Sequence, residues 1–346
     1  MLDTVNKLIG GVVPERNGLI KLLGCDDEAL WERLFAAARA TCESFYGDRV
    51  FARGLIELSS YCKNDCFYCG LRRSNSLAER YRLSEEEILS RCEIGHRLGF
   101  RTFVLQGGED GFFNDGRVCS VVGKIKKRFP DSAVTLSLGE RPFDSFKAFF
   151  DAGADRYLLR HETIDPKHYA RLHPPEMSYA ARMDCLVALK SIGFQVGCGF
   201  MVGTPFQTVE NLADELLFLV RFKPHMVGIG PFLPHKDTPF GKMRAGSPQT
   251  TLKMLALTRL LCPRVLLPAT TALGTAAADG REKGILAGAN VVMPNLSPAF
   301  AREKYSLYDN KLNTGAESSE GLCELAGRLE GIGRVLSFER GDSLVK

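Results

Sequence analysis

Two things are scarce in this sequence: net charge and long apolar stretches. Its 346 residues carry 45 Lys and Arg against 41 Asp and Glu, a formal net charge of +4. Such a small excess does not indicate a nucleic-acid-binding surface. No segment approaches the ~20 consecutive apolar residues of a membrane span, and residues 1–13 lack the basic start and apolar run of an export signal. We therefore expect neither a nucleic-acid nor a membrane partner.

Cysteine is abundant, but its number is odd. Eleven cysteines in a long chain without an export signal indicate reduced thiols, and hence a cytoplasmic protein. Hydrophobic residues make up 45% of the chain and charged residues 25%, as is usual for a protein with a large core. Seven cysteines lie in helical or strand patterns and are expected to be small buried hydrophobes: Cys25, Cys42, Cys92, Cys119, Cys185, Cys198 and Cys262.

Cys62, Cys66 and Cys69 form a CX3CX2C triplet. A closed tetrahedral metal site needs four ligands, whereas the triplet supplies three thiolates. A 4Fe–4S cluster held by three cysteines would keep one iron open to another ligand. The alternatives are a zinc knuckle completed by a distant cysteine or histidine, and three unrelated thiols.

The surroundings of the triplet carry a family resemblance. A strand-like run at 54–60 precedes it, and Tyr68 stands immediately before the last cysteine. This resembles the signature of the radical S-adenosylmethionine (SAM) superfamily. The resemblance implies one 4Fe–4S cluster, bound by three catalytic cysteines, and SAM as cofactors. It also implies that the open iron chelates SAM, and that one electron cleaves SAM to a 5′-deoxyadenosyl radical.

Short apolar strands alternate with longer amphipathic helices along the chain. This pattern predicts a complete (β/α)8 TIM barrel at 51–310, with an N-terminal helical segment at 1–50 and a C-terminal helical tail at 311–346, all in one structural unit. Ser84, followed by Glu87, and Thr208 are predicted helix caps. The strands are expected to begin near residues 54, 101, 133, 156, 194, 225, 265 and 289, and the helices to cover 84–98, 117–129, 143–152, 178–192, 208–222, 248–261 and 275–287.

In such a barrel, functional groups collect at the C-terminal ends of the strands, and polar or glycine-rich motifs stand at these ends here. The superfamily resemblance implies that Gly107, Gly108 and Glu109 receive the amino group of SAM and that Met201 covers its adenine. Glu162 is placed to accept hydrogen bonds from the ribose hydroxyls. Arg182 is placed to pair with the SAM carboxylate, unless it is a solvated helix residue.

The fourth predicted strand has an unusual face. Unpaired charges are costly under the helices, so this face should point into the barrel. It would then form a pocket for an anionic or carboxylate-bearing substrate, or an internal salt bridge with Glu57. Two of its arginines should lie about 13 Å apart along the strand. Alternation places Arg156, Leu158, Arg160 and Glu162 on this face, and Thr135, Ser137 and Thr270 could share the interior.

Six segments together resemble the FeFe-hydrogenase maturase HydE family over nearly the whole chain: 66–75, 135–140, 156–163, 228–235, 268–272 and 292–295. The resemblance implies action on an organometallic iron–cysteine precursor, or another small amino-acid-derived substrate, during assembly of the di-iron subcluster of the hydrogenase H-cluster. It also implies partner maturases and an electron donor. The implied substrate residues are Thr135, Arg156, Arg160, Thr270, Thr271, Ala272 and Met293, with Tyr305 and Tyr308 nearby.

The sequence departs from that family in two places. Gly107 stands where many members have serine, so a substrate hydroxyl contact is in doubt. The tail contains only Cys323, so we expect a single cluster. Methylornithine synthase and biotin synthase remain alternatives within the class, although the interior set offers no cysteine ligand for the second cluster of biotin synthase. A non-catalytic iron–sulfur scaffold would need the triplet but not Glu109, Glu162 and Arg182.

Overall fold

A computed structural model describes residues 1–345. Within them, six parallel strands form the main sheet, paired in chain order from β2 to β7, and β8, β1 and β9 form a smaller parallel sheet. The strands are β1 Arg49–Ala52, β2 Gly54–Ser59, β3 Thr102–Gly107, β4 Ala133–Ser137, β5 Arg156–Leu158, β6 Gln195–Val202, β7 Met226–Pro231, β8 Val291–Val292 and β9 Val335–Ser337.

Helices connect the strands and surround the main sheet. In chain order they are α1 Leu2–Ile9, α2 Arg16–Leu23, α3 Glu28–Tyr46, α4 Glu85–Arg97, α5 Asp115–Arg128, α6 Phe143–Asp151, α7 Pro166–Leu172, α8 Tyr179–Ile192, α9 Val209–Phe222, α10 Pro248–Leu261, α11 Thr271–Ala276, α12 Gly280–Leu286, α13 Ala299–Lys304 and α14 Leu322–Glu330. None of these helices is both long enough and apolar enough to cross a membrane.

Two predicted helix starts are confirmed. Ser84 and Glu87 form a reciprocal capping box at α4, and Thr208 forms the equivalent pair with Asn211 at α9. The single helix predicted over 275–287 is wrong, because α11 and α12 replace it. Thr270 caps Leu273, so α11 begins earlier than predicted.

The seventh predicted strand does not form a regular ladder. Only single parallel bridges occur there, from Leu266 to Met226 and from Pro268 to Val291, and a third joins Leu55 to Asn295. Proline lacks a backbone N–H, so Pro268 cannot donate to a ladder. The architecture is thus an α/β fold built on a six-stranded parallel sheet.

The terminal segments pack onto this sheet and its helices. In the N-terminal segment, α3 lies against α10 and α2 lies against α9. The C-terminal tail contains α14 and also contributes β9, which pairs with β1. The prediction missed β9, a three-residue strand that is held by its pairing with the distant β1.

Candidate active site

A cavity of about 290 Å³ opens where the C-terminal ends of the main-sheet strands meet. This is the position that the barrel hypothesis predicted for functional groups. The predicted residues that line it are Cys62, Cys66, Tyr68, Cys69, Gly107, Gly108, Glu109, Arg160, Glu162, Arg182, Met201, Thr270, Ala272, Tyr305 and Tyr308.

The cysteine loop has no regular secondary structure, yet its backbone is held at many points. Arg80 donates from its guanidinium to the carbonyls of Ser60, Leu71, Arg72 and Asn75. An ion pair joins Arg72 Nε to Asp65 Oδ1 at 2.8 Å, and that carboxylate also accepts the Ser74 N–H. These contacts fix the loop. No spacing pattern in the sequence points to Arg80 or Asp65.

The three cysteine thiols lie in the cavity wall, and burial raises the pKa of each. Burial raises the pKa of Cys69 to about 12. It also raises the pKa of Cys66, and the neighbouring Cys69 and Cys62 thiols add to that rise. Among residues 1–345, no three His, Cys, Asp or Glu side chains are grouped to hold a single metal ion. The three thiols can serve a cluster, because each thiolate of a cluster binds a different iron.

The loop after β3 packs directly on the cysteine loop. A Cβ at Gly108 would lie 2.2 Å from Tyr61 O and 2.8 Å from Cys62 Cβ, so only glycine allows this approach. Lys63 N donates to Glu109 O at 3.0 Å, and Lys63 Nζ lies 3.2 Å from Glu109 Oε2. The carboxylate of Glu109 therefore stands beside the first cysteine.

Arg182 is not a solvated helix residue; it is buried on α8. Its Nε donates to Glu140 Oε1 at 2.5 Å and its Nη1 donates to Arg160 O at 2.7 Å, while Nη2 lies 3.8 Å from Glu109 Oε1. Burial alone would lower its pKa, but the neighbouring acidic groups raise it, so the guanidinium stays charged. Glu140 ends one of the six resembling segments, but it was not singled out from the sequence.

Arg160 and Glu162 face each other inside the cavity. Arg160 Nη2 lies 3.3 Å from Glu162 Oε2, but neither atom has a partner with hydrogen-bond geometry. Buried polar atoms normally have partners. Both groups are thus available to a bound molecule with hydroxyl, amine or carboxylate groups.

An aromatic and apolar wall lies beside the cysteines. Tyr68 donates its hydroxyl proton to His173 Nε2 at 3.0 Å, because His173 Nδ1 donates to Tyr169 O at 2.9 Å. Burial lowers the pKa of His173 to about 4, so this ring is neutral near pH 7. Met201 packs in the same wall, with Tyr68 and Phe232. Such a surface suits a planar heterocycle.

The segment 305–311 closes another side of the cavity. Tyr305 and Tyr308 line it, and Gln106 Nε2 donates to Tyr305 Oη at 3.4 Å. Leu307 O accepts the Gly70 N–H at 2.9 Å, which ties the segment to the cysteine loop. Leu158 and Ser137, which were predicted to face the barrel interior, also line the cavity. Further lining residues were not predicted: Asn64, Leu71, Gln106, Gly139, Leu159, Gly230, Pro231, Leu233 and Leu307.

Four predicted substrate residues do not line this cavity. Thr271 donates to Glu317 Oε2 at 2.8 Å, away from the lumen. Met293 packs against an apolar cluster that includes Met226. Thr135 and Arg156 lie deeper, around a separate void of about 10 Å³ that also contacts Arg53.

The alternative of an internal salt bridge between the arginines at β5 and Glu57 is wrong. Glu57 pairs with Lys311, at 2.7 Å between Oε1 and Nζ, whereas Arg156 pairs with Asp342, at 2.6 Å between Nη2 and Oδ1. The tail supplies both partners. The alternation of side chains along a strand cannot predict ion-pair partners that come from the C-terminal tail.

Comparison with known proteins places this site in a family. The Radical SAM superfamily profile matches residues 56–219. The [FeFe] hydrogenase maturase subunit HydE of Thermotoga maritima is 45% identical over 297 residues, which cover 86% of this chain and 84% of that protein. The 3-methylornithine synthase of Methanosarcina acetivorans is 30% identical over 329 residues, 94% of this chain and 91% of that one. The chain belongs to the radical SAM superfamily.

Two solved structures share the fold. The crystal structure of methylornithine synthase (PylB) has a TM-score of 0.81 at 28% identity, covering 96% of this chain and 97% of that one. The structure of HydG, a maturase of the [FeFe]-hydrogenase, has a TM-score of 0.82 at 22% identity, covering 97% and 76%, and supports the fold alone. The protein is a radical SAM enzyme similar to HydE over most of its length, and its cofactors are a 4Fe–4S cluster and SAM.

Proposed function

We propose that this enzyme acts in FeFe-hydrogenase maturation, on an organometallic iron–cysteine precursor of the di-iron subcluster. The observation that carries the proposal is the 45% identity to HydE over most of both chains. The cavity chemistry supports it. Arg160 presents unpaired guanidinium N–H groups to the lumen, and these suit an anionic or carboxylate-bearing substrate.

The chain's own residues have distinct roles in this proposal. Cys62, Cys66 and Cys69 would hold the 4Fe–4S cluster. The bound cluster would supply the one electron that cleaves SAM to a 5′-deoxyadenosyl radical. The Glu162 carboxylate would accept hydrogen bonds from the ribose. Gly107, Gly108 and Glu109, at the end of β3, would receive the amino group of SAM.

Arg182 would approach the SAM carboxylate with one part of its guanidinium. Its Nε and Nη1 already donate to protein oxygens, so Nη2, 3.8 Å from Glu109, is the nitrogen best placed for this contact. Met201 and Tyr68 would form the apolar wall beside the adenine, and Arg160, Thr270 and Ala272 would contact the substrate.

We further propose that the sheet closes as a (β/α)8 barrel over 51–310, flanked by the segments 1–50 and 311–346. The three isolated bridges beyond β7 support closure. We also propose partner maturases and an electron donor. We propose a reducing cytoplasmic location as well, since the eleven cysteines, all within the described residues, form no disulfide.

An in vitro maturation assay tests the substrate role. Apo-hydrogenase is incubated with the partner maturases and either the parent, Arg160→Met or Arg160→Lys, and hydrogen evolution is measured beside 5′-deoxyadenosine formation from SAM alone. Arg160→Met should abolish maturation and leave SAM cleavage within about threefold of the parent, because its contact with Glu162 lacks hydrogen-bond geometry. The lysine variant keeps the charge but loses the planar donors, so it separates charge from shape. Full maturation by Arg160→Met would reject the substrate role.

Methylornithine synthesis is the second candidate. The sequence alignment with 3-methylornithine synthase covers 94% of this chain, and the structural alignment with methylornithine synthase covers 96% of it. Mass spectrometry distinguishes the two functions. The reconstituted enzyme is incubated with SAM, a reductant and each proteinogenic amino acid. Formation of 3-methylornithine would favour this candidate. A chain that binds a cluster but forms no 5′-deoxyadenosine under any condition would instead be an iron–sulfur scaffold.

A further inference from the structure

Glu162, the proposed ribose contact, has an unusual backbone. Its φ is +64°, and Thr163 N donates to His161 O at 2.8 Å, which closes a three-residue γ-turn with Glu162 at its centre. A γ-turn with positive φ at a residue other than glycine is rare and strained. Such strain persists only where the surrounding structure enforces it.

The residues on both sides of this turn are held by one side chain. Glu215, on α9, accepts the His161 Nε2–H at 2.7 Å with Oε2, and accepts the Ile164 N–H at 2.7 Å with Oε1. The Glu215 carboxylate is therefore hydrogen-bonded to residues on both sides of Glu162.

The other ring nitrogen of His161 ties the turn to the neighbouring strand. Gly199 N donates to His161 Nδ1 at 3.3 Å, so Nδ1 has no proton and Nε2 donates to Glu215. Glu162 N also donates to Gly199 O at 3.0 Å. The turn is thus fixed to β6 through both the His161 ring and the Glu162 backbone.

His161 and Glu215 are both fully buried, outside the cavity. The His161 ring packs edge-on against Phe218, with ring centroids 5.0 Å apart. Water cannot replace either hydrogen bond, so removal of one partner leaves the other unsatisfied. An apolar pair of similar volume would satisfy helix–sheet packing alone, but it would not hold both sides of a strained residue.

We propose that His161 and Glu215 are positioning residues that aim the Glu162 carboxylate at the ribose of SAM. The inference rests on the proposed role of Glu162. It assigns the two residues no contact with SAM, so their effect on SAM affinity should pass entirely through Glu162.

A mutant cycle tests this dependence. SAM affinity is measured by isothermal titration of the reconstituted protein for the parent, His161→Phe, Glu162→Gln and the double variant. Each single substitution should weaken SAM binding by about tenfold, equal to about 1.4 kcal/mol. The double variant should be no weaker than Glu162→Gln alone. Losses that multiply, to about a hundredfold, would overturn the proposal.

Two further variants separate positioning from general destabilisation. His161→Gln keeps an N–H for Glu215 and should restore affinity to within about threefold of the parent. Phe218→Leu removes packing against the same ring but keeps every hydrogen bond; it should lower the melting temperature without weakening SAM binding. Equal weakening by Phe218→Leu and His161→Phe, at equal loss of melting temperature, would refute the positioning role.

Thermal melting without SAM provides a second test, which can be done even if His161→Phe cannot be reconstituted with a cluster. Glycine relieves positive-φ strain, so Glu162→Gly should melt higher than Glu162→Ala in the parent. In a Glu215→Leu background, which no longer enforces the turn, this difference should disappear. A difference that persists unchanged would overturn the proposal. If Glu162→Gln binds SAM as tightly as the parent, the inference about His161 and Glu215 fails. If that variant also cleaves SAM normally, the proposed function is unaffected.

Discussion

The ion pair between β5 and the tail should respond very differently to loss of its two partners. The Arg156 side chain is only 4% exposed, whereas that of Asp342 is 42% exposed. Asp342→Ala would leave a buried guanidinium without its carboxylate. Arg156→Met would leave a carboxylate that water reaches and that Arg340 and Gln195 still contact, at 2.8 and 3.0 Å.

The magnitudes follow from these environments. Removal of one partner from a fully buried pair costs about 3–5 kcal/mol. Asp342 is only half-buried, and Arg156 would keep its bonds to Thr102 Oγ1 and Arg340 O, so we expect a loss of roughly 2–3 kcal/mol for Asp342→Ala. Arg156→Met also removes a buried charge, and should cost about 1 kcal/mol.

Urea unfolding of the cluster-free protein under anaerobic conditions measures both losses, and Asp342→Asn serves as the control that keeps an acceptor. The free energy of unfolding should fall least for Arg156→Met, provided that the slopes against urea are equal. A loss for Arg156→Met that equals or exceeds that for Asp342→Ala would refute the reasoning. The deep arginine would then contribute through packing rather than through its pair.

Three further predictions concern the site itself. Replacement of any cluster cysteine by alanine, for example Cys66→Ala, should abolish reductive SAM cleavage, whereas Cys323→Ala should leave about four irons per chain in an iron assay. Gly107→Ser should lower the free energy of unfolding by about 0.5 kcal/mol or less, with a correspondingly small change in melting temperature. A Cβ at Gly107 would meet only ordinary contacts at 3.6 Å, so SAM titration of this variant should match the parent. Burial alone would raise the pKa of Asp110, but bonds from Arg82 and neighbouring donors lower it overall. The contribution of Asp110 to the free energy of unfolding should therefore be constant above about pH 4 and be lost progressively as the pH falls further. The difference in free energy of unfolding between the parent and Asp110→Asn, measured across pH, tests this.

Most of the fold was predictable because local patterns determine it. Short apolar runs mark the six main strands, and capping residues mark the starts of α4 and α9. The prediction was least accurate where geometry depends on distant partners. The region around Pro268 has an apolar composition but forms only single bridges, and β9 is held by β1 rather than by its own sequence.

The cavity was predictable in part for the same reason. Residues at strand ends, such as Glu109 and Glu162, follow from topology. Ion-pair partners do not, because Asp342 and Lys311 approach Arg156 and Glu57 from the tail. Strand parity gives the side on which a side chain lies, but not how deep it lies. Arg156 therefore belongs to a different void from Arg160.

The segment 305–311 has a consequence for the order of folding. It is bonded to the cysteine loop through Leu307 and Gly70, and to β2 through Lys311 and Glu57, although these partners lie far apart along the chain. Closing so long a loop carries an entropic cost before its contacts form. We therefore expect this wall of the cavity to be among the last parts of the molecule to assemble. Until the segment 305–311 docks, the cavity that contains the three thiols lacks one wall, so we expect iron and sulfide to reach them most freely at that stage.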